Sequence, residues 1–134
     1  MLTEEIKTEE GFRGNPYKDH LGYPTIGYGT KLPINEEEAE LLLNYRLEKM
    51  KKEVNRRMKE RYGEISLPDE VWEILYHMAY QLGVGGLMRF RRTIGAIVRG
   101  EYVLASHHGL DSRWAKQTPA RARRLMGRLA KVGK

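Results

Sequence analysis

Glu10 and Asp19 are the residues of this 134-residue chain whose types and setting could do chemistry together. Cleaving an acetal requires a proton for the departing oxygen and a carboxylate that either attacks the sugar carbon or activates water. Two acids in unlike surroundings can divide those tasks, one protonated and one ionised. Glu10, in Glu10-Gly11-Phe12-Arg13, falls at the end of a helical segment and is the candidate acid; Asp19, in Tyr17-Lys18-Asp19, falls on a turn or strand end and is the candidate ionised partner, as nucleophile or as base. A hydroxyl, Thr25, follows within Gly22-Tyr23-Pro24-Thr25-Ile26-Gly27-Tyr28-Gly29. Spacing alone does not decide the matter. The chain has 18 acidic residues, and two solvated surface acids are the competing reading.

The elements that must position these groups follow from caps, breakers and periodicity. Thr3 to about Gly11 reads as a short helix, with Thr3 as cap and Glu4 and Glu5 at its positive end. Aromatic and β-branched residues between Gly14 and Gly29 predict a small antiparallel sheet turning at His20-Leu21-Gly22, with Leu32 to Ile34 as a third strand. Pro24 and Gly27 make these strands edge-like. Asn35, with Glu38 three residues on, matches a capping box, and Leu43, Leu47, Met50, Val54 and Met58 give the helix after it one apolar stripe. A further helix starts at Leu67-Pro68-Asp69 and stops at Gly83, its core face formed by Val71, Ile74, Leu75 and Met78. Short helices follow, and Thr118-Pro119 pairs a cap with a first-turn proline.

The string from Glu10 to Gly29 resembles the phage-type lysozymes of glycoside hydrolase family 24. Their pattern is a Glu-Gly closing the first helix, a Tyr-Lys-Asp strand and a Gly-Tyr-x-Thr-Ile-Gly-x-Gly strand. A second block, Met78 to Gly83, Phe90, Ser112-Arg113-Trp114, Gln117-Thr118-Pro119 and Arg121, follows the family's C-terminal lobe in order. The resemblance implies a mostly helical α+β, two-lobed lysozyme-like fold in one domain over residues 1–134. Its first helix spans 3–11, its small catalytic lobe about 12–35, its connecting helix about 35–62 and its helical lobe about 66–134. It implies an endo-acting muramidase, an endolysin, cutting the β-1,4 bond between N-acetylmuramic acid and N-acetylglucosamine with inversion. Glu10 would be the acid, Asp19 with Thr25 would hold the attacking water, and Arg121 would orient Glu10. Arg124 would pair with Glu9. For both arginines a plain helix-surface charge is the competing reading. Tyr80, Gln81, Thr93 and His108 fit cleft positions that bind substrate, or simply pack the large lobe. Thr30 replaces a family histidine, Lys31 takes an apolar cleft position, and the stretch from Gly29 to Asn35 is trimmed.

Composition bounds the rest. Without cysteine there is no disulfide framework, thiolate metal site or cysteine nucleophile. Four histidines without clustered spacing suggest no metal, and no cofactor is implied. The net charge of +6, concentrated from Arg89 onward, favours a polyanionic partner, here peptidoglycan glycan strands. No nucleic acid, no stable membrane insertion and a monomer are expected, although the basic amphipathic last helix could touch a membrane. The N-terminus lacks signal-peptide features, which predicts synthesis in the host cytoplasm, action on the wall at lysis and dependence on a separate pore-forming protein. The alternatives are a lytic transglycosylase, which needs only one acid, and a cationic wall- or membrane-binding bacteriolytic protein without glycosidase chemistry. Trp72 and Trp114 are expected in the core.

Overall fold

In the computed structural model, which describes residues 1–133, the chain runs α1 (Leu2–Glu10), β1 (Arg13–Lys18), β2 (Pro24–Gly27), β3 (Thr30–Lys31) and α2 (Glu36–Tyr62). It continues through α3 (Asp69–Leu82), α4 (Val84–Met88), α5 (Arg91–Val98), α6 (Tyr102–Leu110), α7 (Arg113–Gln117) and α8 (Pro119–Ala130). This is the expected small antiparallel sheet with a predominantly helical remainder. Two compact units divide it, one of residues 1–44 and one from Tyr45 onward.

In the first unit the strands lie in the order β1-β2-β3, all antiparallel. The third strand is Thr30–Lys31, not Leu32–Ile34. The turn Gly27-Tyr28-Gly29 explains the shift. Gly27 and Gly29 have φ of +71° and +74°, a conformation open to glycine, so the chain reverses at once and pairs Ile26 with Thr30 and Thr25 with Lys31. Pro33, lacking an N–H, cannot extend the ladder. α1 begins at Leu2, so Thr3 is inside it and no side chain caps it. Its start is held by Glu4 and Glu5 in the first turn and by the Met1 ammonium, 3.6 Å from Glu5.

α2 opens on the predicted capping box: the Glu38 amide donates to Asn35 Oδ1 at 2.8 Å and the Asn35 amide to Glu38 Oε1 at 3.1 Å. Its apolar stripe is buried only at Val54 and Met58, while Leu43 is 38% exposed. In the second unit Val54 and Met58 join Ile74, Leu75 and Met78 of α3, Ile94 and Ile97 of α5, and Met126 and Leu129 of α8 in one fully buried core. Trp114 belongs to it, edge-on to Phe90 at 5.8 Å; Trp72 packs on its margin, stacked on Tyr76. Thr118 and Pro119 stand at the expected cap and first-turn positions of α8, without a capping bond from the Thr118 side chain. Its hydroxyl donates to the Trp114 carbonyl at 3.0 Å, closing α7, and α8 starts on Pro119, which has no amide to cap.

α6 meets α8 at Gly109, where an added Cβ would overlap the Met126 sulfur. Met126 is wholly buried there. Met126→Ala is expected to lower the unfolding free energy by about 2–5 kcal/mol, the usual cost of emptying such a site, read as a fall in urea midpoint at unchanged slope.

Candidate active site

The loop from Asp19 to Tyr23 joins β1 to β2 and is organised by one carboxylate. The Asp19 amide donates to the Tyr23 carbonyl, and the Gly22 amide to the Asp19 carbonyl, both at 2.9 Å. Asp19 Oδ1 accepts from the amides of Leu21 at 2.9 Å and Tyr23 at 2.8 Å. An aspartate bonding amides two and four residues ahead is a local turn device, and it fixes the carboxylate relative to the strands. Asp19 Oδ2 accepts from the Lys31 ammonium. Only 9% of the Asp19 side chain is exposed, against 59% for Lys31.

The register explains that pairing. Tyr17 stands opposite Thr25, and Thr25 opposite Lys31, so the three side chains form a row across one face of the sheet. Asp19, two residues beyond Tyr17, continues that face. The Lys31 hydrogen bond, then that of Tyr23, pull the Asp19 carboxyl from the ordinary 3.8 down to about 2. Lys31 is raised in turn, chiefly by Asp19, with smaller contributions from Glu10 and Tyr17. A single ammonium therefore lies in the field of both candidate carboxylates.

Thr25 is the one buried residue of the first unit, 1% exposed. Its hydroxyl donates to the Tyr23 carbonyl at 2.8 Å, so its oxygen is left as an acceptor. Glu10 ends α1, and Gly11, at φ +69°, turns the chain into β1. Its carboxyl lies against Gly29, where a Cβ would come within 2.7 Å of Glu10 Cδ and Oε2. The helix end is tied down beside it. Phe12 packs on Tyr28 at 5.7 Å between centroids, and Lys7 lies 5.5 Å over the Tyr28 ring.

This chain matches the phage lysozyme family over residues 7–131. The chain belongs to the phage lysozyme family. It therefore carries a glycoside hydrolase domain of the lysozyme type. Its relatives include the pre-baseplate central spike protein Gp5 of Enterobacteria phage T4, 28% identical over an alignment that covers 92% of this chain and 26% of that protein. The chain thus spans about a quarter of that relative's length.

The other residues expected at the lysozyme site lie in the second unit. Thr93, buried, and His108, half-buried, line one cavity of about 690 Å³ together with Phe90, Ser112, Trp114 and Gln117. Gln81 stands behind it: its Oε1 accepts from Trp114 Nε1 at 3.0 Å, which fixes the indole rather than leaving the amide free. Tyr80 is 51% exposed on α3, apart from the residues that line this cavity. Arg121 is half-buried and Arg124 exposed, both on α8. Two features escaped sequence reasoning. Lys31 drew notice only as a family departure, and the cavity's Arg89, Arg91, Arg92 and Arg113 only as part of a basic bias, although the run Arg89-Phe90-Arg91-Arg92 signals a cationic rim around an aromatic.

Gly29 offers a direct check on the seat of Glu10. Gly29→Ala puts a methyl where the carboxyl lies and adds strain at positive φ. A displacement of about 1 Å at a reacting group costs on the order of 10²-fold in rate. Peptidoglycan clearing by this variant is expected to fall on that scale while circular dichroism still shows a folded chain.

Proposed function

We propose that this protein is an endo-acting muramidase that hydrolyses the β-1,4 bond between N-acetylmuramic acid and N-acetylglucosamine in peptidoglycan, with inversion. The observation that carries this reading is the contrast between its two acids. Asp19 is held ionised by Lys31 and two amides, while Glu10 rests against a bare glycine at a helix end.

In this reading Glu10 gives its proton to the glycosidic oxygen as that oxygen leaves the anomeric carbon. Asp19 takes a proton from a water whose oxygen bonds to the same carbon from the opposite face. The cycle leaves Glu10 ionised and Asp19 protonated, and exchange with solvent resets both. Thr25, whose own proton is committed to the Tyr23 carbonyl, offers the water a lone pair and so helps aim it. Of the expected substrate-binding residues, Thr93 and His108 share the cavity that would receive glycan, while Gln81 supports it through the Trp114 indole.

Positive charge favours approach to the anionic wall, and among the described residues no helix is long and apolar enough to cross a membrane. As an endolysin the protein would be made in the host cytoplasm, act as a monomer on the wall, and depend on a separate pore-forming protein to reach it. The likeness to a pre-baseplate spike protein favours a second setting, a wall-cutting domain carried on the virion. Presence of the chain in purified virions, against presence in the lysate alone, separates the two settings.

Turbidity loss of purified peptidoglycan tests the chemistry. Glu10→Gln and Asp19→Asn are each expected to lower the clearing rate by at least about 10²-fold, the scale of general acid and base catalysis, with the fold retained. Reducing muramic ends of inverted configuration are expected among the products. Parent-like clearing by either variant overturns the pair, and anhydromuramic ends overturn hydrolysis in favour of transglycosylation.

A further inference from the structure

We infer that Lys31 is a positioning residue for the water-activating carboxylate, holding Asp19 fixed and ionised in acid and, by the same bond, weakening it as a base at neutral pH. This rests on the proposed role of Asp19 and adds to it a residue that sets the pH range of the reaction.

Geometry carries the argument. The Leu21 and Tyr23 amides occupy Oδ1, so the remaining freedom of the carboxylate lies at Oδ2, where the Lys31 ammonium sits. Lys31 reaches it from a strand that is itself pinned. Thr25 pairs with Lys31 across the ladder, and the Leu32 amide donates to the Pro24 carbonyl at 2.9 Å. Other charged or titratable groups act on Lys31 as well: Tyr17 from β1 and Glu10 from the end of α1, while Lys18 and His20, both exposed, flank Asp19 in the chain.

The same bond has an opposite effect on base strength. Proton transfer from water follows the proton affinity of the carboxylate, and an ammonium on Oδ2 lowers that affinity. Because the Lys31 side chain is 59% exposed, its ion pair adds little to folding stability. Substituting it therefore tests chemistry more than folding.

The experiment compares the full chain with Lys31→Met and Lys31→Arg, each checked for fold by circular dichroism. Asp19 is followed by carbon-13 NMR of its carboxyl through an acid titration. The parent midpoint is expected near 2 and that of Lys31→Met displaced toward 3.8, with Lys31→Arg staying low. Since Asp19 must be ionised to accept a proton, activity is lost as pH falls through its midpoint. At about pH 3, a complete move from about 2 to 3.8 lowers the ionised fraction roughly sixfold. The kcat of Lys31→Met on purified peptidoglycan should fall by up to that factor relative to the parent, and equal or exceed the parent's at neutral pH. An unchanged Asp19 midpoint in a folded Lys31→Met overturns the inference. So does a raised midpoint with an unmoved acid limb when Asp19→Asn is inactive. Parent-like activity of Asp19→Asn instead overturns the role of Asp19, whatever the titration shows.

Discussion

Folding must place the Asp19 carboxylate where nearly all of it is withdrawn from water, and a carboxylate so placed has to be met by donors. The hairpin supplies them from the residues that immediately follow, the amides of Leu21 and Tyr23, and the third strand supplies an ammonium. Those bonds set the β1–β2 loop, and the loop sets the register that brings Tyr17, Thr25 and Lys31 into one row. Residues 1–44 contain one buried residue, Thr25, and expose Phe12, Tyr23 and Tyr28. Apolar burial within that segment is therefore slight, and its geometry depends on directional polar ties. The group that the proposed mechanism needs ionised is also the group around which the segment is tied.

The helical unit follows the opposite rule. Its core of Val54, Met58, Ile74, Leu75, Met78, Ile97 and Met126 is wholly apolar, and its polar ties sit at the margin. Gln81 on the Trp114 indole is one; another is the fork of Arg128 on Glu70 at 2.8 Å and Glu73 at 3.2 Å, which joins α8 to α3. Exposed pairs of this kind contribute little to stability, so non-directional burial holds the helices and the ties fix their rotation. A unit built this way tolerates a cationic cavity rim of Arg89, Arg91, Arg92 and Arg113, because none of those charges has to enter the core.

Much of this was legible in residue types. Asn35 with Glu38, the breakers at Gly11 and Gly83, and the α3 core face Val71, Ile74, Leu75 and Met78 are local signals, and each appears where the sequence places it. The Thr118 side chain and the third strand depart from local signals for one reason: local preference does not decide a partner that the fold decides. Thr118 has the chemistry of a cap but bonds backward to Trp114. Leu32 to Ile34 have the composition of a strand, yet the paired residues are Thr30 and Lys31, because two glycines at positive φ fold the chain back earlier. On a strand opposite Thr25, Lys31 stands beside Asp19 rather than in an apolar cleft position.

Trimming between Gly29 and Asn35 therefore bears on the chemistry as well as on the length of the chain. A two-residue strand, entered from a glycine that must lie under Glu10 and left at a proline that cannot pair, leaves one position facing the Tyr17–Thr25 row, and a lysine fills it. An apolar residue there would shelter Asp19 and favour its protonation; an ammonium shelters it and favours ionisation. Glu10 also acts on that ammonium, so the one lysine answers to both carboxylates. Gly29, which makes room for the Glu10 carboxyl, and Lys31, which holds that of Asp19, are separated by a single residue. The short third strand thus sets the surroundings of both acids at once.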